Sequence, residues 1–220
     1  MAEKTLQYLS GRGWLVFSGG HTAGSPLRAQ ALSRAHAYGI TAYISTADDG
    51  GDSLLEDMED LGARSGYFID PEYDDPTDII ADLKTASLIM VEMGTSINAL
   101  YRLLKGPAIE GIKQAYERGA VVLIEGLAGN LFGRWVVTDS GDIVDGLNWV
   151  QNAFVEPQSA GAEDSRAVRA VLNEIADAVA INIESGSALA LGPDGAVEVW
   201  GEGQNVTISL GRNFADKPKS

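Results

Sequence analysis

The chain of 220 residues contains no cysteine. That excludes a disulfide framework, a thiolate nucleophile and a thiolate metal site together. Histidine is nearly as scarce, with His21 and His36 alone, so imidazole-rich metal sites have little to draw on. Positive charge is short as well. Sixteen Lys and Arg stand against 31 Asp and Glu, a formal net charge of −15. Nucleic acid and anionic membranes gain no counterion-release energy from such a surface, so neither is expected as a partner. No apolar run reaches the roughly 18 residues that cross a bilayer. The first residues, MAEKTLQYLSGRG, lack a signal-peptide core, and the cytoplasm is the expected compartment.

Hydrophobic residues make up 45% of the chain, enough for an ordinary packed core. Their order points to an α/β architecture. Trp14 to Ser18 (WLVFS) reads as a strand, followed by Gly19-Gly20 and a first helix. Ser25 is its expected N-cap, Pro26 its first residue and Gly39 its stop, with His36 inside it. Thr41 to Ser45 reads as a strand, Asp52 to Leu61 and Thr77 to Lys84 as helices, and Leu88 to Met93 as another strand. Pro107 to Arg118 is a helix that delivers the chain into a strand at Val121 to Ile124. Strands alternating with helices imply crossover units and a parallel sheet.

The C-terminal part changes character. Asp164 to Val179 has helical spacing of apolar residues. Ala188 to Leu191 and Val197 to Trp200 flank the turn Gly192-Pro193-Asp194-Gly195, and Asn205 to Leu210 alternates like a third strand. All three are expected to extend the same sheet in antiparallel fashion. Residues 1–212 are expected to form one α/β domain and residues 213–220 a polar tail.

Residues Ala120 to Gly133 read AVVLIEGLAGNLFG: an apolar strand, a turn of small residues and a helix start. Hydrolase elbows of the form G-x-S-x-G hold a strained nucleophilic serine at such a turn. Here the five residues are Glu125-Gly126-Leu127-Ala128-Gly129, and Leu127 at the centre has no attacking atom. Other polar residues gather at predicted strand ends. Glu92 and Glu125 sit at neighbouring ends, where two carboxylates share a proton, bind a cation or do acid–base work. His21 follows the first strand, where open α/β sheets place ligands. Ser96 precedes a helix and suits an N-cap. Ser18 to Ser25 (SGGHTAGS) lacks the spacing of a phosphate-binding loop.

Three stretches carry a resemblance to the cyanophycinase and dipeptidase E serine peptidases. They are PTDIIADLKTASLIMVEMGTSINALYRLL (Pro76 to Leu104), IEGIKQAYERGAVVLIEGLAGNLFG (Ile109 to Gly133) and GLNWVQNAFVEPQS (Gly146 to Ser159). The closing AINIESGSALALGPDGAVEVWGEGQNVTIS is similar to the terminal strands of those enzymes. The resemblance implies a class I glutamine amidotransferase-like fold, a three-layer α/β/α sandwich around a mostly parallel sheet with antiparallel C-terminal strands. It places Leu127 at the nucleophile, Gln158 at the histidine base and Glu184 near that base. Glu92-Met93-Gly94-Thr95 stands at the oxyanion turn. Ala128 and Gly129 match, so one oxyanion amide is implied to persist.

A serine nucleophile needs its base, and both are absent at these positions. The expected function is therefore an inactive homologue serving as a binding or scaffold protein. The alternative is a hydrolase acting on a small peptide or amide through Glu125, Glu92, Ser96 and His21. The expected cleft comprises Glu92, Gly94, Thr95, Ser96, Glu125, Gly126, Ala128, Gly129 and His21. A small peptide or acidic-peptide-like ligand and a homodimer are expected, with no metal and no cofactor.

Overall fold

Short apolar runs punctuated by glycine and proline set up the alternation of strand and helix. The computed structural model describes residues 6–20, 26–36, 39–45, 51–64, 66–92, 96–158, 165–201 and 205–211. In chain order the elements begin with β1 (Gln7–Tyr8), β2 (Trp14–Ser18), α1 (Pro26–Arg34), β3 (Thr41–Ile44) and α2 (Asp52–Asp60). Next come β4 (Tyr67–Phe68), α3 (Pro76–Thr85), β5 (Leu88–Val91), α4 (Ile97–Leu104), α5 (Pro107–Arg118) and β6 (Val121–Glu125). A 3-10 helix (Gly126–Phe132) leads to β7 (Trp135–Val137), β8 (Ile143–Asp145), β9 (Val150–Gln151) and β10 (Ala153–Pro157). The order ends with α6 (Arg166–Glu174), β11 (Val179–Ile183), β12 (Ser187–Leu191), β13 (Val197–Gly201) and β14 (Val206–Leu210).

The central sheet has seven strands in the order β13-β12-β2-β6-β5-β3-β4. The five from β2 to β4 run parallel, and β12 and β13 add to the β2 edge antiparallel. Side-chain alternation then assigns two faces. On one, Val16, Tyr43, Met90 and Leu123 pack beneath Leu27 and Ala31 of α1 and Leu54 and Met58 of α2. On the other, Phe17, Ile44, Val91 and Ile124 meet α3, α4 and α5. Helices on both faces of a mostly parallel sheet are the expected sandwich. Gly111 permits the close approach of α5 to α3, since a Cβ there would lie 2.7 Å from the Cβ of Leu83.

Local signals set the helix ends. The Asp75 side chain accepts from the backbone N–H of Thr77, and Pro76 opens α3. Gly119, at φ 116°, ends α5 in the left-handed conformation that glycine adopts without steric cost. No helix among the described residues is long and apolar enough to cross a membrane.

Four expectations need correction. The strand at 206–210 does not extend the central sheet: β14 pairs with β11, which pairs with β10, in a separate three-stranded sheet. This small sheet shares the core of the α3–α5 face through Val155, Val179, Ile181 and Ile183, and α6 covers its outer side. The helix expected over 164–179 is shorter, because Ala178 and Val179 are recruited to the small sheet and its α6 packing. His36 is exposed and lies beyond α1, which ends at Arg34. Finally, the segment after β6 winds as a 3-10 helix and turns into the β7–β8 hairpin. The expected N-cap Ser25 lies outside the described residues.

Candidate functional site at the carboxyl edge of the sheet

The parallel strands all end on one edge, and polar residues stand at the ends of β2 and β6 and just beyond those of β3 and β5. Ser18 pairs with Glu125 across β2 and β6, and Glu92 donates its backbone N–H to Ile44, which puts it beside Ser45. Two residues earlier, Val16, Leu123, Met90 and Tyr43 face α1 and α2. The period of two therefore aims Ser18, Glu125, Glu92 and Ser45 at the same side. The apolar layer beneath α1 and α2 is capped by a polar row.

Arg28 of α1 fills the centre of that row and is 2% exposed. It donates to both oxygens of Glu125, Nε to Oε1 at 3.2 Å and Nη2 to Oε2 at 2.7 Å. Nη1 reaches Asp57 Oδ2 of α2 at 3.0 Å, and Nη2 lies 3.5 Å from Glu92 Oε1. The Ser45 hydroxyl donates to the other Glu92 oxygen at 2.7 Å. Burial alone would lower the guanidinium pKa. The hydrogen bonds and charge of Glu125, and then of Asp57, outweigh it and hold the pKa above its ordinary value. Glu125 and Glu92 thus converge on a guanidinium supplied by the chain itself. Among the described residues no group of three or more His, Asp or Glu side chains is arranged to hold a metal ion.

Arg28 and Asp57 were not among the expected site residues. Their signal was present: each interrupts an apolar helical stripe, Arg28 between Leu27 and Ala31 and Asp57 between Leu54 and Met58. A charged residue on a buried stripe needs an opposite partner, because burying an unpaired charge is costly.

The elbow follows directly. Gly126 has φ 58°, whereas Leu127, the centre of the sequence motif, is not in the left-handed region. The left-handed residue of the turn is therefore Gly126. Leu127 is half-buried against the core, and Ala128 is fully buried. Gly129 passes so close to β10 that a Cβ would stand 2.7 Å from Pro157 Cγ. This contact brings the end of β10 to the elbow.

Beyond Pro157 lies Gln158, also left-handed at φ 65°, whose N–H donates to Ile183 O at 2.8 Å. The parallel register Pro157↔Ile183 sets Gln158 beside Glu184 at the strand ends. Glu184 accepts from Asn205 Nδ2 at 2.9 Å. A Cβ on Gly20 would lie 3.2 Å from Gln158 Nε2, so Gln158 stands at the end of β2. Gly126, Gln158 and Glu184 are thus neighbours of one strand-end region.

Ser96 faces a different partner. It caps α4, accepting from Ala99 N at 3.4 Å, and donates to Asp139 Oδ2 at 2.7 Å. Asp139 belongs to the turn between β7 and β8 and also receives the N–H of Ile97 at 3.4 Å. His21, Gly94 and Thr95 lie outside the described residues.

No protein-family model matches the chain, and no curated protein matches it. Solved structures do. A peptidase from an acI-B1 actinobacterium is similar over 92% of this chain and 97% of its own, with a TM-score of 0.69 at 16% identity. A protein named for peptidase E from Listeria monocytogenes EGD-e is similar over 86% of this chain and 98% of its own, with a TM-score of 0.65 at 14% identity. The chain has the fold of these peptidase E-like structures.

Proposed function

We propose that this chain is a catalytically inactive relative of the peptidase E and cyanophycinase serine peptidases, working as a binding or scaffold protein. The observation that carries the reading is the left-handed backbone at Gly126 and at Gln158 in one strand-end region. Both keep left-handed backbone, as a strained elbow and its neighbour would, and neither bears the side chain that serine chemistry requires. Glycine at the apex cannot attack a carbonyl, and an amide cannot take the proton. We place the vacated nucleophile position at Gly126, with Leu127 as its neighbour.

A hydrolase using Glu125, Glu92, Ser96 and His21 finds less support. The two glutamates are bound to Arg28, and the Ser96 hydroxyl donates to a carboxylate. The small-peptide ligand and the homodimer rest on the resemblance alone. Sedimentation at twice the 23.2 kDa chain mass is the expected outcome for the dimer, and a monomer refutes it.

The test of inactivity is intact mass after exposure to a fluorophosphonate serine probe. The native chain is expected to remain unlabelled, and Gly126→Ser with Gln158→His to take up one adduct. A stoichiometric adduct on the native chain refutes inactivity. Labelling of Leu127→Ser with Gln158→His, in place of the Gly126 variant, refutes the placement of the apex.

A further inference from the structure

The three-stranded sheet ends in β14, whose outer edge pairs with no other strand among the described residues. Two contacts at the ends of β14 fix which of its residues bond inward. Asn205 O accepts from Glu184 N at 3.1 Å, and Gly211 N donates to Ala178 O at 2.8 Å. Both contacts keep the register of β11 and β14, and bonded pairs alternate along an antiparallel ladder. Thr207 and Ser209 therefore bond to β11. Val206, Ile208 and Leu210 turn their backbone N–H and C=O groups outward, where no described residue takes them up.

The same three residues carry the apolar side chains of the strand. They stand opposite Ile183, Ile181 and Val179 of the core, so their row continues that core to the edge. Val206 still packs on it, but Ile208 is 43% and Leu210 39% exposed. Sheets commonly guard such an edge with lysine, proline or a bulge. β14 (VTISL) has neither a charge nor a proline, and its register is unbroken.

The order of residue types selects the occupant. A two-fold axis at Ile208 sets a second copy of β14 antiparallel to the first, with Ile208 opposite Ile208, Val206 opposite Leu210 and Thr207 opposite Ser209. Apolar then meets apolar, and hydroxyl meets hydroxyl in the closer kind of cross-strand pair. Every outward N–H and C=O of the three apolar residues finds a partner in that register. The free edge of β13 lacks this symmetry, since a two-fold at Val199 sets Val197 against Gly201 and Glu198 against Trp200. Two chains of net charge −15 repel, so their contact needs an uncharged strip, and β14 supplies one.

We propose that β14 pairs with β14 of a second copy of this chain about a two-fold axis at Ile208, joining two three-stranded sheets into one. This pairing gives the homodimer proposed above its contact face and rests on that reading. Sedimentation of the whole chain is the test, with Ile208→Lys and Ile208→Glu as variants at a partly exposed position. Either variant alone sets like charges against each other at the axis and is expected to be a monomer, and their equimolar mixture is expected to recover the dimer. A dimer that persists in either variant overturns this face while leaving the homodimer standing. A mixture that stays monomeric overturns the two-fold pairing. A wild-type monomer refutes the homodimer and this face together, and leaves the edge to a different partner. The wild-type chain supplies a second readout that does not depend on a variant folding. Amide hydrogen exchange at Val206, Ile208 and Leu210 is expected to slow as protein concentration raises the dimer fraction, and rates that stay constant overturn the proposal.

Discussion

Replacing Arg28 by methionine removes the cation that three carboxylates share while leaving most of the apolar stem in place. Glu125 is 2% exposed and Asp57 8% exposed, so water cannot easily take over from the guanidinium. Removing one partner of a buried pair costs about 3–5 kcal/mol, because the remaining charge stays buried without compensation. Glu92, with its side chain 18% exposed and 3.5 Å away, adds little to that figure. A loss of about 4 kcal/mol is therefore expected for Arg28→Met. For a chain of this size each kcal/mol moves Tm by roughly 2–4 °C, so the drop is about 8–16 °C. Urea unfolding followed by circular dichroism gives the same quantity at one temperature. A Glu125→Gln change in the Arg28→Met background is expected to recover part of the loss, which a double-mutant cycle reads as coupling. A cost below about 1 kcal/mol, with no coupling, would refute the reasoning, since it would mean that the row is solvated like a surface ion pair.

Two further outcomes follow from the packing. Burial, with a smaller contribution from Tyr8, pushes the Tyr116 phenol up to about 12, and its hydroxyl donates to Leu9 O at 2.9 Å. The folded value lies above the unfolded one, so this contribution is complete below pH of about 10 and is lost as pH rises towards about 12. Tyr116→Phe is expected to flatten the alkaline loss of stability in a pH series of urea melts, with a residual slope from Tyr43 and Tyr67, whose phenols burial also raises. An unchanged slope refutes this assignment. Gly129→Ala places a methyl against Pro157 and is expected to destabilise the elbow by about 1–3 kcal/mol, the usual cost of overpacking. A neutral effect in the same melts would show that β10 can move away from the elbow.

Much of the central sheet was legible because its signals are local. WLVFS, LIMV and VVLIE are apolar runs long enough for buried strands and too short for helices, and the helix before VVLIE closes with its own stop signal, Gly119. Pro107 and Gly119 bound α5 where they were expected to. The fate of the third C-terminal strand was not legible. Asn205 to Leu210 alternates equally well for either sheet, and its partner, β11, begins at Val179, the last residue of a stretch with helical spacing. Pairing between distant segments depends on which edge is free once the rest has folded, and local spacing does not encode that.

The site shows the same division. Residue types and order alone established that the chain lacks a thiol, that its elbow lacks a serine, and that carboxylates gather at strand ends. Those conclusions concern composition and local pattern, and no packing can alter them. Tertiary structure decided what the carboxylates do and what the elbow packs against. Arg28 and Glu125 are 97 residues apart, and only the layer of α1 and α2 over the sheet brings a guanidinium to 2.7 Å of that carboxylate. Likewise, only the folded chain brings Gly129 of the 3-10 helix against Pro157 of β10. Charge pairing and close packing are properties of contacts, and contacts between distant residues exist only in the folded chain.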